Sequence, residues 1–362
     1  MNYSEDPIGV GKIESLFAEG IDFPSVKKIE DKNSSLKKLK TRHLFWIPSL
    51  LFSRTYRVFP NILKDIFYGL SVIHKSPASK LFARTKYDEL RILIDAKISS
   101  LIIKVVPESI RKEVQMTFNS GFYTTNLSDI SELDIIIEEV FNKTNPSHAG
   151  ARPYFKDGKK EKIEGSYSAY YSFSKEDNQK MNSILQRDIS ENFNFHLSAL
   201  AGYKCNINDI IYSLSIVYGA NSNDEMHQDT YSSVAKGFLY LQDIGSNDAP
   251  FEYLEGSYID AYFRSSETNK AVLANDFHSS GSTRIRGQKL KDALKKYKLR
   301  SFTGSKGFFV LANTGGYHRK GVHNSNKPRI ILACGVKRKS PISKLLINLF
   351  AIIKFNFSRS NN

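Results

Sequence analysis

In the tetrapeptide Met226-His227-Gln228-Asp229 an imidazole and a carboxylate stand two residues apart. In an extended segment such residues leave the backbone on the same face, so the two side chains can converge on one point. A lone His-x-Asp is common as a surface hydrogen-bonded pair, and a metal site needs a third donor from elsewhere in the chain. The best offer is His318, in Asn313-Thr314-Gly315-Gly316-Tyr317-His318-Arg319-Lys320-Gly321-Val322-His323, with His323 as a competing donor. Two histidines and one carboxylate on one side of a metal leave the opposite positions open. That is the ligand set of a non-haem Fe(II) oxygenase rather than of a closed structural zinc site. Arg329 follows His318 by eleven residues and opens the apolar run Ile330-Ile331-Leu332-Ala333. An oxoacid held on the metal by one end would present its far carboxylate deeper inside, where a fixed guanidinium makes two parallel hydrogen bonds that a lysine cannot.

Such a set must be carried by strands that close around it. Ile210 to Tyr218, Val234 to Ile244, Phe251 to Leu254, Gly307 to Ala312 and Arg329 to Val336 are apolar runs divided by turn residues, the texture of a jelly-roll. Phe122 to Thr124 reads as a further short strand after Gly121. Ser131 to Phe141 reads as a capped helix with Leu133, Ile136, Ile137 and Val140 inward, and Lys86 to Val106 as a helix ended by Pro107. The expected architecture is α+β: a double-stranded β-helix (jelly-roll, cupin-like) core with a helical N-terminal extension and flanking helices. It divides into a polar, basic stretch over 1–40, a helical basic and aromatic extension over 41–120, the barrel over 121–340, and an apolar, basic tail over 341–362. Within the barrel, 263–302 reads as a basic, partly helical insertion of the kind that serves as a lid or binding element.

At 362 residues and 41% hydrophobic content the chain can bury one large core. Its two cysteines, Cys205 and Cys334, each lie in an apolar run that reads as a strand, and buried reduced thiols are expected rather than a zinc site. The first residues lack a basic start followed by an apolar stretch, and no run offers the roughly twenty uninterrupted apolar residues that span a bilayer. A cytoplasmic protein is expected, peripheral at the inner face of a membrane if its basic apolar segments dock there. The net charge of +15 gathers at both ends: from Lys37 to Lys86 the one acid is Asp65, and from Ser279 onward it is Asp292. Such asymmetry suits a membrane surface, a phosphorylated or carboxylated substrate, or nucleic acid, and equally a solvated surface with no partner. From His43 to Ile73 aromatic and aliphatic residues alternate with cations, as in an interfacial helix or a helix packed on a core. The tail Leu345 to Phe355 is similar.

Several of these motifs together resemble the phytanoyl-CoA dioxygenase family. They are His227-Gln228-Asp229, Lys236 to Ile244, Ala249 to Tyr258, His318-Arg319, Asn324-Ser325 and Pro328-Arg329, within roughly Gly121 to Val336. The resemblance implies a double-stranded β-helix, an Fe(II) triad of His227, Asp229 and His318, and 2-oxoglutarate anchored by Arg329 with O2 as co-substrate; it prefers His318 to His323. It also implies hydroxylation, since halogenating relatives replace the carboxylate of the triad by a small residue. The family's Pro-Gly-Ser-His turn stands here as Glu255-Gly256-Ser257-Tyr258. The substrate is expected to be a small molecule, lipid-linked or saccharide-type, and anionic. No recognised nucleic-acid module is present, which sets a nucleic-acid oxygenase behind, and the complete ligand set does the same for a non-catalytic binding barrel.

Overall fold

The alternation written into the long strands sorts their side chains onto two faces, and this sorting builds the molecule. In the computed structural model, which describes residues 77–143, 155–156, 159–160, 167–218, 225–229, 233–265, 283–325 and 327–360, the strands in chain order are β1 (Phe122–Asn126), β2 (Phe155–Lys156), β3 (Lys159–Lys160), β4 (Tyr167–Ser172), β5 (Ile210–Tyr218), β6 (His227–Gln228), β7 (Ala235–Tyr240), β8 (Phe251–Leu254), β9 (Thr283–Arg284), β10 (Leu299–Phe302), β11 (Phe308–Asn313), β12 (His318–Lys320) and β13 (Arg329–Val336). The helices are α1 (Pro77–Ser100), α2 (Glu108–Ser120), α3 (Ser131–Lys143), α4 (Lys175–Asp188), α5 (Phe193–Ala201), α6 (Gly287–Lys296) and α7 (Pro341–Ser360).

A six-stranded sheet runs β1-β11-β7-β13-β5-β4 and a five-stranded sheet runs β10-β8-β12-β6-β9; β2 and β3 form a separate pair. From β5 to β8 the chain switches sheet at each strand, and it crosses back between β10 and β11 and again between β12 and β13. The order β11-β7-β13-β5 in one sheet faces β10-β8-β12-β6 in the other, and all their pairings are antiparallel. This is the double-stranded β-helix, in which two sheets close on a core and leave one open mouth for a ligand.

On the large sheet, Ile210, Tyr212, Leu214 and Ile216 of β5, Leu239 of β7, Phe309 and Leu311 of β11 and Leu332 and Cys334 of β13 face outward. They bury against α3, α4 and α5 through Leu133, Ile137, Met181, Leu185, Leu197 and Leu200. The opposite face carries Phe238 and Tyr240 of β7, Val310 and Ala312 of β11 and Ile331 of β13. It meets Phe251 and Tyr253 of β8 and Phe302 of β10 from the small sheet. A second helical layer, α1, α2 and the 3-10 turn Leu101–Val105, packs with α7 around Ile102, Val106, Val114 and Phe118. In that layer the side chain of Lys344 on α7 is fully buried, its Nζ 2.9 Å from Oδ1 of Asp95 on α1 and donating to the carbonyl of Ser233 at 2.9 Å.

Three expectations change. The segment 263–302 does not stand apart from the barrel, because β9 pairs with β6 and β10 with β8, so its described ends complete the small sheet; 266–282, with His278, lie outside the described residues. Cys205 sits in the turn after α5 rather than on a strand, although both thiols are buried and free as expected. The tail is a continuous helix, and by length and composition alone it is apolar enough to cross a membrane, which a count of uninterrupted apolar residues missed because Lys344 and Lys354 break the run. Pro107 ends a 3-10 turn, α1 having closed at Ser100, and α2 follows it directly. The polar stretch 1–40 and the pattern from His43 to Ile73 lie outside the described residues.

Candidate metal centre

His318 and His227 are directly opposed across the antiparallel pair β12 and β6, and their rings lie 4.5 Å apart. Directly opposed residues on one face of a sheet bring their side chains together, which is how donors ninety-one positions apart in sequence meet. Asp229 follows β6 in a bend, held by its own N–H donating to the carbonyl of Thr314 at 3.0 Å. The donor atoms of His227, Asp229 and His318 all lie within 4.8 Å of one another, and among the described residues this is the one cluster of three such groups. Nε2 of His227 is 3.7 Å from Oδ1 of Asp229, and Nε2 of His318 is 3.7 Å from Oδ2.

The outward nitrogens fix which face of each ring is available. Nδ1 of His227 lies 2.8 Å from the carbonyl of Glu225, and Nδ1 of His318 lies 3.0 Å from the carbonyl of Gly316. A carbonyl only accepts, so each Nδ1 carries the proton and each Nε2 turns its lone pair toward the centre. Burial pushes His318 down to about 4, against the pull of Asp229, so its ring is neutral at neutral pH. Burial alone would raise the Asp229 carboxyl, but His318, Lys236 and His227 together hold it well below its usual range. Two neutral imidazoles and an ionised carboxylate are the protonation states that bind a divalent metal. Metal bonds of about 2.1 Å put neighbouring donors roughly 3 to 3.5 Å apart, so the donors need close by only a few tenths of an ångström. The residues therefore fit an iron ion.

The turn before His318 is built around a close approach. A Cβ on Gly316 would stand 2.2 Å from the hydroxyl of Tyr253, so no other residue fits there without moving that ring. Tyr253 in turn donates to the carbonyl of Asn313 at 3.0 Å, and the Ser257 hydroxyl accepts from the N–H of Tyr317 at 2.9 Å. The Glu255-Gly256-Ser257-Tyr258 turn thus supports the strand that carries His318. Between the ligands, Gln228 points to the other side of β6 and accepts from Nε of Arg264 at 2.8 Å.

Arg329 is buried on the inner face of the large sheet, the same face as Ile331. It lies against the hydroxyl of Tyr240; burial raises that phenol and Arg329 pulls it back. From Tyr240 the interior continues to the N–H of Phe251, which donates to the phenol oxygen at 3.1 Å, and the Phe251 ring lies 5.7 Å from that of His318. Arginine and triad thus face one interior from opposite sheets. His323 is buried elsewhere, its Nε2 2.9 Å from the carbonyl of Lys327, outside the cluster. Tyr212 turns to the helices, where its hydroxyl donates to Asn182 at 2.7 Å.

Lys236 is the neighbour that spacing arguments did not assign. Its Nζ stands 2.7 Å from Oδ2 of Asp229, with the side chain nearly half exposed at the mouth. The signal for it was the alternation on β7, since Lys236, Phe238 and Tyr240 share the inner face.

No family model matches this chain, and the search of curated proteins found no match. Among solved structures, it is similar to the epimerase SnoN in complex with Fe3+, alpha ketoglutarate and nogalamycin RO, at 10% identity over 64% of this chain and 84% of that one, with a TM-score of 0.39. It is similar to EctD from S. alaskensis with 2-oxoglutarate and 5-hydroxyectoine at 9% identity over 66% and 80%, TM-score 0.41. A third is HygX from Streptomyces hygroscopicus with nickel and 2-oxoglutarate bound, at 12% identity over 64% and 86%, TM-score 0.37. TM-scores this low do not by themselves define a shared fold; the strand order within each sheet does.

Proposed function

We propose that this chain is an Fe(II)- and 2-oxoglutarate-dependent dioxygenase, with His227, Asp229 and His318 as the iron ligands and Arg329 as the partner of the oxoacid's far carboxylate. The observation that carries the reading is the convergence of two Nε2 lone pairs and one carboxylate in the interior of a double-stranded β-helix whose facing sheet presents a buried arginine. When bound, iron with 2-oxoglutarate and O2 supplies oxidative decarboxylation to succinate and CO2 coupled to oxidation of a substrate C–H bond.

The chain's own residues do the rest. The carbonyls of Glu225 and Gly316 hold each Nδ1–H, so neither ring can turn its lone pair away. Arg329, seated against Tyr240, offers a fixed planar fork to a carboxylate. Phe238 and Phe251, stacked at 4.4 Å, and Phe302 exclude water beneath the reacting position. Asp229 supplies the third ligand, and in the phytanoyl-CoA dioxygenase reading, carried by the motifs quoted above, a carboxylate at that place goes with hydroxylation. The exposed Lys236 at the mouth supports an anionic substrate, small, lipid-linked or saccharide-type.

The test is succinate formation from 2-oxoglutarate by the Fe(II)-loaded protein across a panel of anionic candidate substrates. Turnover is expected with wild type and absent with Asp229→Ala and His318→Ala. Equal turnover by the variants would overturn the reading.

A further inference from the structure

The helix α7 is apolar on two opposite sides, and only one of them is covered. Its inner side packs Ala351, Ile352 and Phe355 against the cluster of Ile102, Val106, Val114 and Phe118. Its outer side presents Leu346 at 52% exposure, Leu349 at 42%, Phe350 at 72%, Ile353 at 52% and Phe357 at 67%. At about 100° per residue these five fall within a sector of roughly 100°, one continuous stripe along three turns. Scattered exposed leucines are ordinary, but an aligned stripe holding two phenylalanines marks a contact surface.

The helix cannot leave the body to cross a bilayer while its inner side is seated. Lys344 Nζ is bound to Asp95 and to the Ser233 carbonyl. Asn348 Nδ2 donates to the carbonyls of Ile98 at 3.0 Å and Gly202 at 3.1 Å, and its Oδ1 accepts from the N–H of Lys204 at 3.1 Å. Extraction would leave Asp95 an uncompensated buried charge. The stripe is thus held outward along its whole length, the geometry of a helix lying in the plane of an interface.

Charge selects the occupant. From Ser279 to the end of the chain Asp292 is the one acid, and α7 itself carries none, while Lys337, Lys339 and Lys354 are set along or beside it. A second copy would press two such basic faces together. The apolar stretch between His43 and Ile73 is equally basic, with Asp65 as its one acid, so it too would meet like with like. An anionic bilayer offers acyl chains to the stripe and opposite charge to its rim.

We propose that α7 docks this protein in-plane on an anionic lipid surface through Leu346, Leu349, Phe350, Ile353 and Phe357. Docking needs neither metal nor oxoacid, so it stands or falls apart from the oxygenase reading.

The experiment is co-sedimentation of the full chain, free of added iron and 2-oxoglutarate, with vesicles of phosphatidylcholine alone or with 30% phosphatidylglycerol. Binding is expected to the anionic vesicles, to fall about tenfold or more for Phe350→Glu/Phe357→Glu, and to weaken at high salt. Exposed Met116 on α2 serves as the control: Met116→Glu should bind as wild type. Circular dichroism and thermal unfolding, unchanged in the double variant, show that the fold survives. Four results overturn the proposal: no binding to anionic vesicles, undiminished binding by the double variant, a wild-type dimer that the double variant dissolves, or a double variant that loses thermal stability because the stripe was covered by the chain itself.

Discussion

Nζ of Lys236 lies 2.7 Å from Oδ2 of Asp229, so a lysine sits on the carboxylate that the metal reading assigns as a ligand. Two unit charges about 4 to 5 Å apart interact by roughly 3 to 4 kcal/mol at a surface-like dielectric, and solvent at the half-exposed Lys236 reduces that to about 1 kcal/mol. Lys236 and a divalent ion compete for the same oxygen. Lys236→Met is therefore expected to tighten metal binding by about three- to tenfold. Titration calorimetry with Mn(II) in place of Fe(II) reads this directly; weaker binding would mean that the lysine positions Asp229 rather than opposing the metal.

Arg329 is assigned to the oxoacid and not to the metal. Arg329→Met should raise the KM for 2-oxoglutarate by roughly a hundredfold, since truncating one partner of a buried charge pair costs about 2–5 kcal/mol. Mn(II) affinity without oxoacid should stay within a few-fold of wild type. A variant that loses metal and oxoacid together would place Arg329 in the support of the triad.

The Lys344 and Asp95 pair ties α7 and α1 to Ser233, whose N–H also donates to Asp95 at 2.7 Å, four residues beyond Asp229. Lys344→Met leaves a buried carboxylate with no cation, and denaturant unfolding should register a loss of about 3–5 kcal/mol. Replacing both partners, Asp95→Asn with Lys344→Met, should recover part of it. A loss below about 1 kcal/mol for the single variant would mean that water reaches Asp95.

Burial pushes the thiols of Cys205 and Cys334 up to about 12. A raised thiol pKa keeps the proton on at working pH, so at pH 8 only about one molecule in ten thousand carries a thiolate at either position. Iodoacetamide at pH 8 should leave both unmodified in the native protein and label both after denaturation. Labelling of the native protein would contradict the burial described.

The parts of this architecture legible in sequence are those where one face is apolar and the other is not. Ile210–Tyr218, Phe251–Leu254 and Arg329–Val336 begin and end where their residue patterns put them, because each packs one side against helices or barrel. The triad was legible because His-x-Asp and a distant His are demanded by one chemistry. What stayed hidden has physical reasons. β6 and β9 are two residues long and owe their existence to pairing with each other and with β12. In β10 an arginine and a serine interrupt the apolar pattern, so the strand read as the end of a basic insertion. Helix α5, Phe-Asn-Phe-His-Leu-Ser-Ala-Leu-Ala, is buried almost all round and so shows no one-sided period. Helix α4 is polar except for Met181 and Leu185 and is announced mainly by its Ser174 and Asp177 capping box. Lys236 could be placed on a strand, but its contact with Asp229 depends on how the bend after β6 returns toward β7, which spacing does not encode.

The central claim is that one interior holds metal and oxoacid together. Anomalous diffraction at the iron edge, from crystals grown anaerobically with Fe(II) and 2-oxoglutarate, measures it most directly. The expected map has one iron bonded to Nε2 of His227, Nε2 of His318 and the Asp229 carboxylate, with the oxoacid chelating it and its far carboxylate on Arg329. Iron elsewhere, at His323 for example, or an oxoacid that never meets Arg329, would contradict the account.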